Sequence, residues 1–222
     1  MSGLEVGLAS GSDAADCHRL AYEVFYEEMG AFAEVADHDR RELCDDVIRS
    51  AELLCAKVDG RVVGGLGLLY GDAGFPHEFE SGFDIERYAS VVPRKKMAVS
   101  IRFLVAEEHR STAVPYALMV EAGRRQLERG IELCFADCQV HLLNLYQALG
   151  FRPCAAPFDQ VGFGMMVPLL LVGGDVDHMR SVGSPMVDEL DLSHGPAELV
   201  ERVVGLLPQQ GVPGPAGAAG VV

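Results

Sequence analysis

A polar corner in the middle of the chain carries residue types that suit the binding of a phosphate. Residues 107–112 contain Arg110, and they separate an apolar run at 101–105 from residues whose apolar positions recur at helical spacing. When a helix follows a strand in this way, its first N–H groups lie beside the carboxyl end of the strand and have no partner inside the helix. The pattern therefore predicts a helix N-terminus that holds a phosphate.

A histidine follows the next strand pattern. Gly130 ends the predicted helix, residues 131–138 predict a second strand, and residues 142–149 predict a short helix. His141 lies at the carboxyl end of that strand, where sites gather in α/β sheets, and imidazole exchanges a proton near neutral pH. We therefore expect His141 to act as a general base, with a water-mediated base as the alternative. The alternative for the whole stretch is an amphipathic helix packed on a sheet, without a site.

The same residues resemble the GNAT superfamily of acyl-CoA-dependent N-acyltransferases. The phosphate loop of that family runs from a strand through Arg or Gln to two small positions; Arg110 matches, whereas Ala113 and Pro115 replace the small residues. A second signature is intact as Leu-Tyr-Gln-Ala-Leu-Gly-Phe at 145–151, although the Asn that usually lies seven residues before the Tyr is Gln139. The resemblance implies an α/β GNAT fold, with a central mixed, mostly antiparallel twisted sheet of six to seven strands flanked by helices.

The resemblance also implies roles for particular residues. The end of the fourth strand would pair with pantetheine and polarise the thioester, and the following loop would hold phosphate; these donor-binding residues are Phe103, Leu104, Val105, Arg110, Ser111, Thr112, Ala113 and Val114. Tyr146 would be the general acid for the leaving thiolate, because a phenol with a pKa of about 10 keeps its proton at neutral pH. The alternative for Tyr146 is a packing role under the sheet.

The N-terminal part is similar to the acyl-homoserine lactone synthases and the related N-acyl amino acid synthases. The pattern Leu-x-Tyr-x-Val-Phe at 20–25, a loop with spaced Asp residues, and Val-Gly-Gly-x-x-Leu-Leu at 63–69 carry this similarity, which runs from about residue 19 to residue 186. Those enzymes usually take a fatty acyl chain from an acyl carrier protein. This chain has Ala21, Gly67 and Val99 where the lactone synthases carry Arg, Arg and Glu, and it keeps Arg102.

The missing charged groups argue against lactone synthesis from S-adenosylmethionine. The prediction that remains is an N-acyltransferase that moves a fatty or related acyl group to a primary amine of an amino acid, small amine or peptide. Two alternatives stay open: a catalytically silent GNAT-fold protein that binds an acyl or pantetheine ligand, and a lactone synthase with a rearranged site. Acyl-CoA or acyl-phosphopantetheine on a carrier protein is the expected donor, and no permanently bound cofactor is expected.

The acceptor and the acyl chain suggest a second set of residues. Arg102, Asp37 and Asp39 are candidate substrate-binding residues, since spaced carboxylates can recognise an ammonium group, as can Asp45 and Asp46; the alternative is a solvated loop. Phe163 is a candidate for the wall of an acyl tunnel, because aromatic side chains suit a flexible alkyl chain. Core packing is the alternative for Phe163.

Charge limits the partners. The net charge of −15 disfavours nucleic acid and anionic membranes, which need a basic surface. Pro115 lacks an N–H and so leaves fewer donors for the pyrophosphate of coenzyme A, which favours a carrier-bound donor with one phosphodiester. The alternative is that Pro115 occupies the first helical turn at no cost. Contacts to an acidic carrier are expected from Arg94, Lys95, Lys96, Arg124 and Arg125, for which ordinary solvated charges are the alternative.

Composition indicates one domain. The chain has 222 residues, of which 49% are hydrophobic, so residues 1–207 are expected to form a single domain and residues 208–222, rich in Pro, Gly and Ala, a flexible tail. No apolar run is long enough for a membrane span, and the first residues lack a signal-peptide core, so a cytoplasmic location is expected. The six Cys residues lack metal-ligand spacing, which predicts free thiols and no metal site.

Overall fold

The computed structural model describes residues 3–208, which form one sheet with helices on both faces. The strands are β1 (Leu4–Leu8), β2 (Glu52–Val58), β3 (Arg61–Tyr70), β4 (Met97–Val105), β5 (Leu133–Gln139), β6 (Arg152–Pro153), β7 (Phe158–Gln160) and β8 (Gly164–Val172). The α-helices are α1 (Ser12–Ala21), α2 (Asp46–Ser50), α3 (His77–Gly82), α4 (Ile85–Ala89), α5 (Val114–Glu128), α6 (Leu143–Ala148), α7 (Val176–Ser181), α8 (Met186–Glu189) and α9 (Ala197–Gly205).

The sheet is mixed and mostly antiparallel. Its strand order is β1-β2-β3-β4-β5-β8-β6, with β7 paired to β8, and the β4–β5 pair is parallel. This confirms the GNAT-like α/β fold that the sequence predicts. The sheet has eight strands instead of six or seven, because β6 and β7 add short pieces of 2 and 3 residues that carry no periodic signal.

The parallel pair β4–β5 opens partway along its length. Met97–Val99 pair with Leu133–Phe135, and the strands share no further pairs toward their carboxyl ends. A bulge lies just beyond this point: the β3–β4 register shifts between Gly65 and Gly67, and Arg102 adopts a φ of 49°. A bulge bends its strand and redirects side chains, so it turns β4 away from β5 and opens a gap in the sheet.

Helices cover the two faces of the sheet differently. On one face, Leu66 and Leu68 pack with Leu118 of α5. This approach is close, because a Cβ on Gly64 would lie 2.9 Å from a Leu118 methyl carbon. On the other face, Phe135 packs with Tyr88 of α4 and with residues of α2 and α9. The gap between β4 and β5 therefore connects the α5 face with the α2 face.

The N-terminal helix differs from a regular amphipathic helix. The sequence predicts a helix over residues 14–29 closed by Gly30; the structure has α1 followed by a π-helix at Tyr22–Glu28, and Gly30 has a φ of 69°. The wider turn keeps Phe25 buried and brings Glu28 to the gap in the sheet. π-Turns are frequent where a helix contributes to a functional site.

Several elements follow the sequence pattern, and others do not. The apolar runs at 51–58 and 62–70 predict two strands, and the charged residues 30–50 predict a long loop with one helical turn. The structure has β2, β3 and α2 at these places. Helices α3 and α4 have only 6 and 5 residues, too few for a recognisable period. The predicted flexible tail, residues 208–222, lies outside the described residues except for Pro208.

Candidate active site

A cavity of about 780 Å³ lies where β4 and β5 separate. This volume is typical of pockets that hold a cofactor-sized ligand. The cavity reaches both faces of the sheet. We call its two halves the α5 chamber, lined by Met119, Gly123, Gln126, Tyr146 and Leu149, and the α2 chamber, lined by Phe25, Phe32, Asp45, Arg102, Asp137 and Phe163.

The end of β4 forms one edge of the gap. Phe103, Leu104 and Val105, to which the resemblance assigns donor binding, line the cavity. Beyond Val99 the edge of β4 that faces β5 has no strand partner. Main-chain groups on such an edge can form hydrogen bonds with an extended ligand, as an added strand does.

The helix N-terminus predicted to bind phosphate is exposed at the end of β4. Ser111, Thr112 and Ala113 are exposed, and Val114 begins α5. The Thr112 hydroxyl accepts a hydrogen bond from the Val114 N–H at 3.2 Å and donates one to the His109 carbonyl at 2.7 Å. Pro115 lies in the first helical turn, which confirms the alternative interpretation of this proline.

Arg110 lies at the mouth of the cavity. Its Nε donates to the Val105 carbonyl at 3.0 Å, and its guanidinium forms an ion pair with Glu28 at the end of the π-helix. The side chain therefore joins the end of β4 to the first helix. Because the pair is partly exposed, an anionic ligand can compete with Glu28 for the guanidinium.

Tyr146 is buried in the α5 chamber. Its ring packs edge-on against Phe151 at 5.4 Å between centroids, and its hydroxyl makes no hydrogen bond with any residue from 3 to 208. Burial raises the pKa of the Tyr146 phenol well above its usual value, and nearby Cys138 and Asp137 raise this pKa further. The phenol therefore keeps its proton at neutral pH and can donate it into the cavity.

Asp137 is a site residue that the sequence interpretation missed. It lies on β5 beyond the last pair with β4 and lines the cavity. Burial raises the pKa of the Asp137 carboxyl to about 6, and no cationic side chain within residues 3–208 offsets this effect. A single carboxylate in the apolar run LCFADCQ was the signal available in the sequence.

Tyr146 and Asp137 lie on opposite faces of β5. Ala136 and Cys138 pack with Tyr146 on the α5 face. Because successive side chains of a strand point to opposite faces, Asp137 shares the other face with Phe135. The gap thus has a proton donor in one chamber and a proton acceptor in the other.

His141, the base predicted from the sequence, lies at the rim. It belongs to the short 3₁₀ turn Val140–Leu142 after β5, and it lines the cavity while remaining exposed to solvent. The structure therefore brings His141 to the site that the sequence predicts. Asp137 lies deeper in the gap than His141, because it precedes the end of β5.

Arg102 and Asp45 form a buried ion pair in the α2 chamber. Their side chains are only 9% and 18% exposed. The Arg102 guanidinium also lies 4.2 Å from the centroid of the Phe32 ring, and the Asp45 side chain caps α2 by accepting from the Ile48 N–H at 3.0 Å. Asp45 therefore links α2 to the bulge in β4.

The other acidic candidates lie elsewhere in the charged loop. Asp37 accepts a hydrogen bond from the Arg40 N–H at 2.9 Å, and Asp39 is exposed. Neither residue lines the cavity. The structure therefore brings Asp45 to the site, whereas Asp37 and Asp39 remain candidates without a contact to it.

Phe163 belongs to an aromatic wall in the α2 chamber. Its ring centroid lies 5.8 Å from that of Phe25 and 5.4 Å from that of Phe32. The Gln139 side chain donates to the Phe163 carbonyl at 2.8 Å and fixes this loop to the end of β5. The wall offers apolar contact to a ligand on the side of the gap that holds Asp137.

The basic residues predicted to contact a carrier protein are mostly paired with acidic residues. Arg94 binds Glu80 and Glu86, Lys96 binds Glu132, and both Arg124 and Arg125 bind Glu121. Arg94–Lys96 precede β4, so the strand places them about 26 Å from the mouth at Val105. Arg94–Lys96 are close to β4 in the sequence, but they do not lie at the phosphate-binding end of the cavity.

Two negative findings concern the part of the chain from residue 3 to residue 208. None of its helices combines the length and apolarity needed to cross a membrane. Within the same residues, no cluster of three or more His, Cys, Asp or Glu side chains is arranged to hold a metal ion.

Several solved structures share this fold at low sequence identity. The CoA-dependent acyl-homoserine lactone synthase BjaI, solved with SAM and isopentyl-CoA, matches with a TM-score of 0.62 and 18% identity over 92% of this chain and 99% of its own. FeeM, an N-acyl amino acid synthase from uncultured soil microbes, matches with a TM-score of 0.62 and 17% identity over 82% and 95% of the two chains. Escherichia coli ElaA has a TM-score of 0.54 and 19% identity over 77% and 99%.

Sequence comparison adds no closer relative. No protein-family model matches the chain, and no curated protein matches it significantly. The similarity to the solved structures therefore rests on the arrangement of strands and helices.

Proposed function

We propose that this protein is an N-acyltransferase that moves a fatty or related acyl group from a pantetheine thioester to a primary amine. The observation that supports this most is the gap between β4 and β5, which carries a protonated phenol in one chamber and a carboxylate of raised pKa in the other. Amide formation from a thioester needs both groups, one to protonate the leaving thiolate and one to accept a proton from the amine.

In this mechanism the donor enters at Arg110 and lies along the unpaired edge of β4. The amine approaches from the α2 chamber and attacks the thioester carbonyl carbon, whose oxygen receives a hydrogen bond from a main-chain N–H of β4. The C–N bond forms and the C–S bond breaks. Asp137 accepts the proton lost by the amine, and Tyr146 gives its proton to the departing sulfur. The products are an amide and a free thiol.

Asp137 is the proposed base because of its position and its pKa. With a pKa of about 6, the carboxyl is roughly 90% ionised at pH 7 and can accept a proton. His141 at the rim is the alternative base, and it would act through water. The proposed donor is acyl-CoA or an acyl group on a carrier protein. The proposed acceptor is an amino acid, a small amine or a peptide.

The acceptor side of the gap favours a cationic amine. Asp137 and Glu78 line this part of the cavity, where Arg102 neutralises Asp45, and the chain as a whole carries a net charge of −15. These carboxylates raise the local concentration of an ammonium-bearing molecule. The ammonium group loses one proton to solvent before attack, because only the neutral amine has a lone pair, and Asp137 accepts the second proton as the amide forms.

Amine-dependent release of free thiol from an acyl thioester tests the proposal. The wild-type protein should release thiol from acyl-CoA or acyl-carrier donors only when a primary amine is present. Tyr146→Phe should lose most of this rate with an alkyl thioester and recover it with an aryl thioester, because an aryl thiolate leaves without a proton. Tyr116→Phe is the matched control, since Tyr116 is on α5 but does not line the cavity. Thiol release at the same rate with and without the amine would refute acyl transfer to an amine.

A further inference from the structure

The closed end of the α5 chamber has a polar surface that the proposed reaction does not use. Ser100, Gln126 and Cys134 line the cavity at the point where β4 and β5 come together. The surrounding side chains, including Leu171 and Met186, are apolar. We call these three residues the polar end.

Gln126 is the central residue of the polar end. It lies on α5 and is only 9% exposed. Its side-chain amide lines the cavity, and its partner there is the thiol of Cys134. A sulfur atom is a weak hydrogen-bond partner, so a ligand that offers an oxygen atom to this amide gains affinity.

Ser100 and Cys134 extend this surface. The Ser100 hydroxyl lies 3.3 Å from the Cys134 sulfur, a weak partner for a hydroxyl. Burial raises the pKa of the Cys134 thiol, while hydrogen bonds from Ser100 and Gln126 lower it. The thiol therefore stays neutral and apolar in character, and Ser100 and Gln126 remain able to bind an oxygen atom.

The distance from Tyr146 determines which part of a ligand reaches the polar end. Tyr146 packs against Cys138, and Cys134 precedes Cys138 by four positions on β5, which corresponds to about 13 Å along the strand. If Tyr146 protonates the leaving sulfur, the polar end is several methylene groups beyond the thioester. An acyl chain that fills the α5 chamber therefore meets Gln126 with its far part.

We infer that the α5 chamber selects acyl groups that carry an oxygen substituent, such as a hydroxyl or ketone, far from the thioester. This inference rests on the proposed acyl transfer, because Tyr146 fixes the position of the sulfur. A plain alkyl chain would leave Gln126 with only the Cys134 thiol as a partner. An oxygen next to the thioester would lie too close to Tyr146 to reach it.

A comparison of donors tests the selection. We expect an ω-hydroxy medium-chain acyl-CoA to react with a kcat/KM about fivefold to tenfold above that of the saturated acyl-CoA of equal length, and the β-hydroxy isomer to show no such gain. Gln126→Met should abolish this preference, so that the two donors of equal length react with the same kcat/KM as each other. Gln147→Met, at an exposed position on α6, should keep the preference. An unchanged preference in Gln126→Met, or a preference for the β-hydroxy donor, would overturn the inference.

A binding measurement separates this inference from the proposed reaction. Calorimetric titration with the ω-hydroxy fatty acid and with the saturated acid needs no turnover. Tighter binding of the ω-hydroxy acid by the wild type, lost in Gln126→Met, would support the polar end even if no amine were acylated. Equal binding of the two acids by the wild type would refute it, whether or not the protein transfers acyl groups.

Discussion

The chemistry of the site depends on two side chains with altered proton affinity. Burial raises the pKa of both Tyr146 and Asp137, but with opposite consequences for their charge at neutral pH. The phenol stays protonated, whereas a carboxyl with a pKa of about 6 is mostly ionised. The same apolar gap therefore holds an acid and a base on the two faces of one strand.

Asp137→Asn should lower kcat by about 100-fold or more, because an amide cannot accept the proton of the amine. In the wild type, the rate should fall below pH 6, where the carboxyl of Asp137 becomes protonated. Stopped-flow thiol detection from pH 5 to pH 9 measures both effects. Asp159→Asn, which changes an exposed residue of β7, should keep the wild-type profile. A full rate in Asp137→Asn would transfer the role of base to His141.

The same substitution should stabilise the fold at high pH. The folded-state pKa of Asp137 is raised from 3.8 to about 6, so ionisation of the buried carboxyl disfavours the folded state as pH rises through 6. At pH 8, Asp137→Asn should raise the free energy of unfolding by about 2 kcal/mol. The gain should shrink as pH falls from 6 to 4, where both proteins are uncharged at this position. Urea denaturation at several pH values measures it, and a pH-independent difference would contradict the raised pKa.

At the scale of elements, the bulge in β4 and the short helix α2 hold the α2 chamber open. Arg102 takes a positive φ at the bulge and pairs with Asp45, which also caps α2. The ion pair therefore ties the start of α2 to the bend in β4. Loss of either partner leaves a charge in a place that water reaches poorly.

Arg102→Met should destabilise the fold by about 3 kcal/mol, because it leaves the buried Asp45 carboxylate without its cation. Arg49→Met is the matched control: it removes the cation of a pair on the same helix whose side chains are 62% and 99% exposed, and it should cost less than about 1 kcal/mol. Urea denaturation of both variants at pH 7 measures the difference. Equal effects would mean that the Arg102 pair does not bind α2 to β4.

Much of this architecture is visible in the sequence because its longer elements are periodic. The apolar strands and α5 are long enough to show their period, and Gly130 marks the end of α5 with a φ of 66°. The π-helix at Tyr22–Glu28 carries no such signal. Neither does the bulge at Arg102, because tertiary contacts hold this non-glycine residue at a positive φ.

The site was less predictable than the fold. Sequence patterns identify Tyr146, His141 and the end of β4 as candidates, because each belongs to or follows a recognisable strand or signature. All three line the cavity. It does not distinguish Asp45 from Asp37, since only the fold decides which carboxylate of the charged loop reaches Arg102. Asp137 was missed because its importance lies in burial, and burial depends on the opening of the sheet.

At the scale of the whole molecule, acidic residues outnumber basic residues 33 to 18, and ion pairs neutralise most of the basic residues near β4 and α5. The field outside the protein is therefore negative. This field repels an acidic carrier protein and attracts a cationic acceptor. The phosphates of acyl-CoA are also repelled by this field, so the net charge does not distinguish the two donors.

Salt should weaken the use of a cationic acceptor. Added NaCl screens the negative field, so the KM for a diamine acceptor should rise severalfold between low and high ionic strength, while kcat changes little. An amino-acid amide with one amine, which carries one positive charge instead of two, serves as the comparison. Its KM should rise less with added salt. Initial rates at fixed donor concentration measure both. An identical salt dependence for the two acceptors would contradict electrostatic attraction of the acceptor.

The most direct test of acyl transfer is the mass of the product. Purified protein is incubated with a medium-chain acyl-CoA or acyl-carrier donor and a pool of amino acids, amines and basic peptides, and the mixture is analysed by mass spectrometry. Acyl transfer predicts a new species whose mass equals that of one acceptor plus the acyl acid minus water, formed about 100-fold more slowly by Asp137→Asn and at the wild-type rate by Asp159→Asn. Retention of acyl ligand on the protein without any such species would contradict the proposed reaction and indicate a binding protein that has lost catalysis.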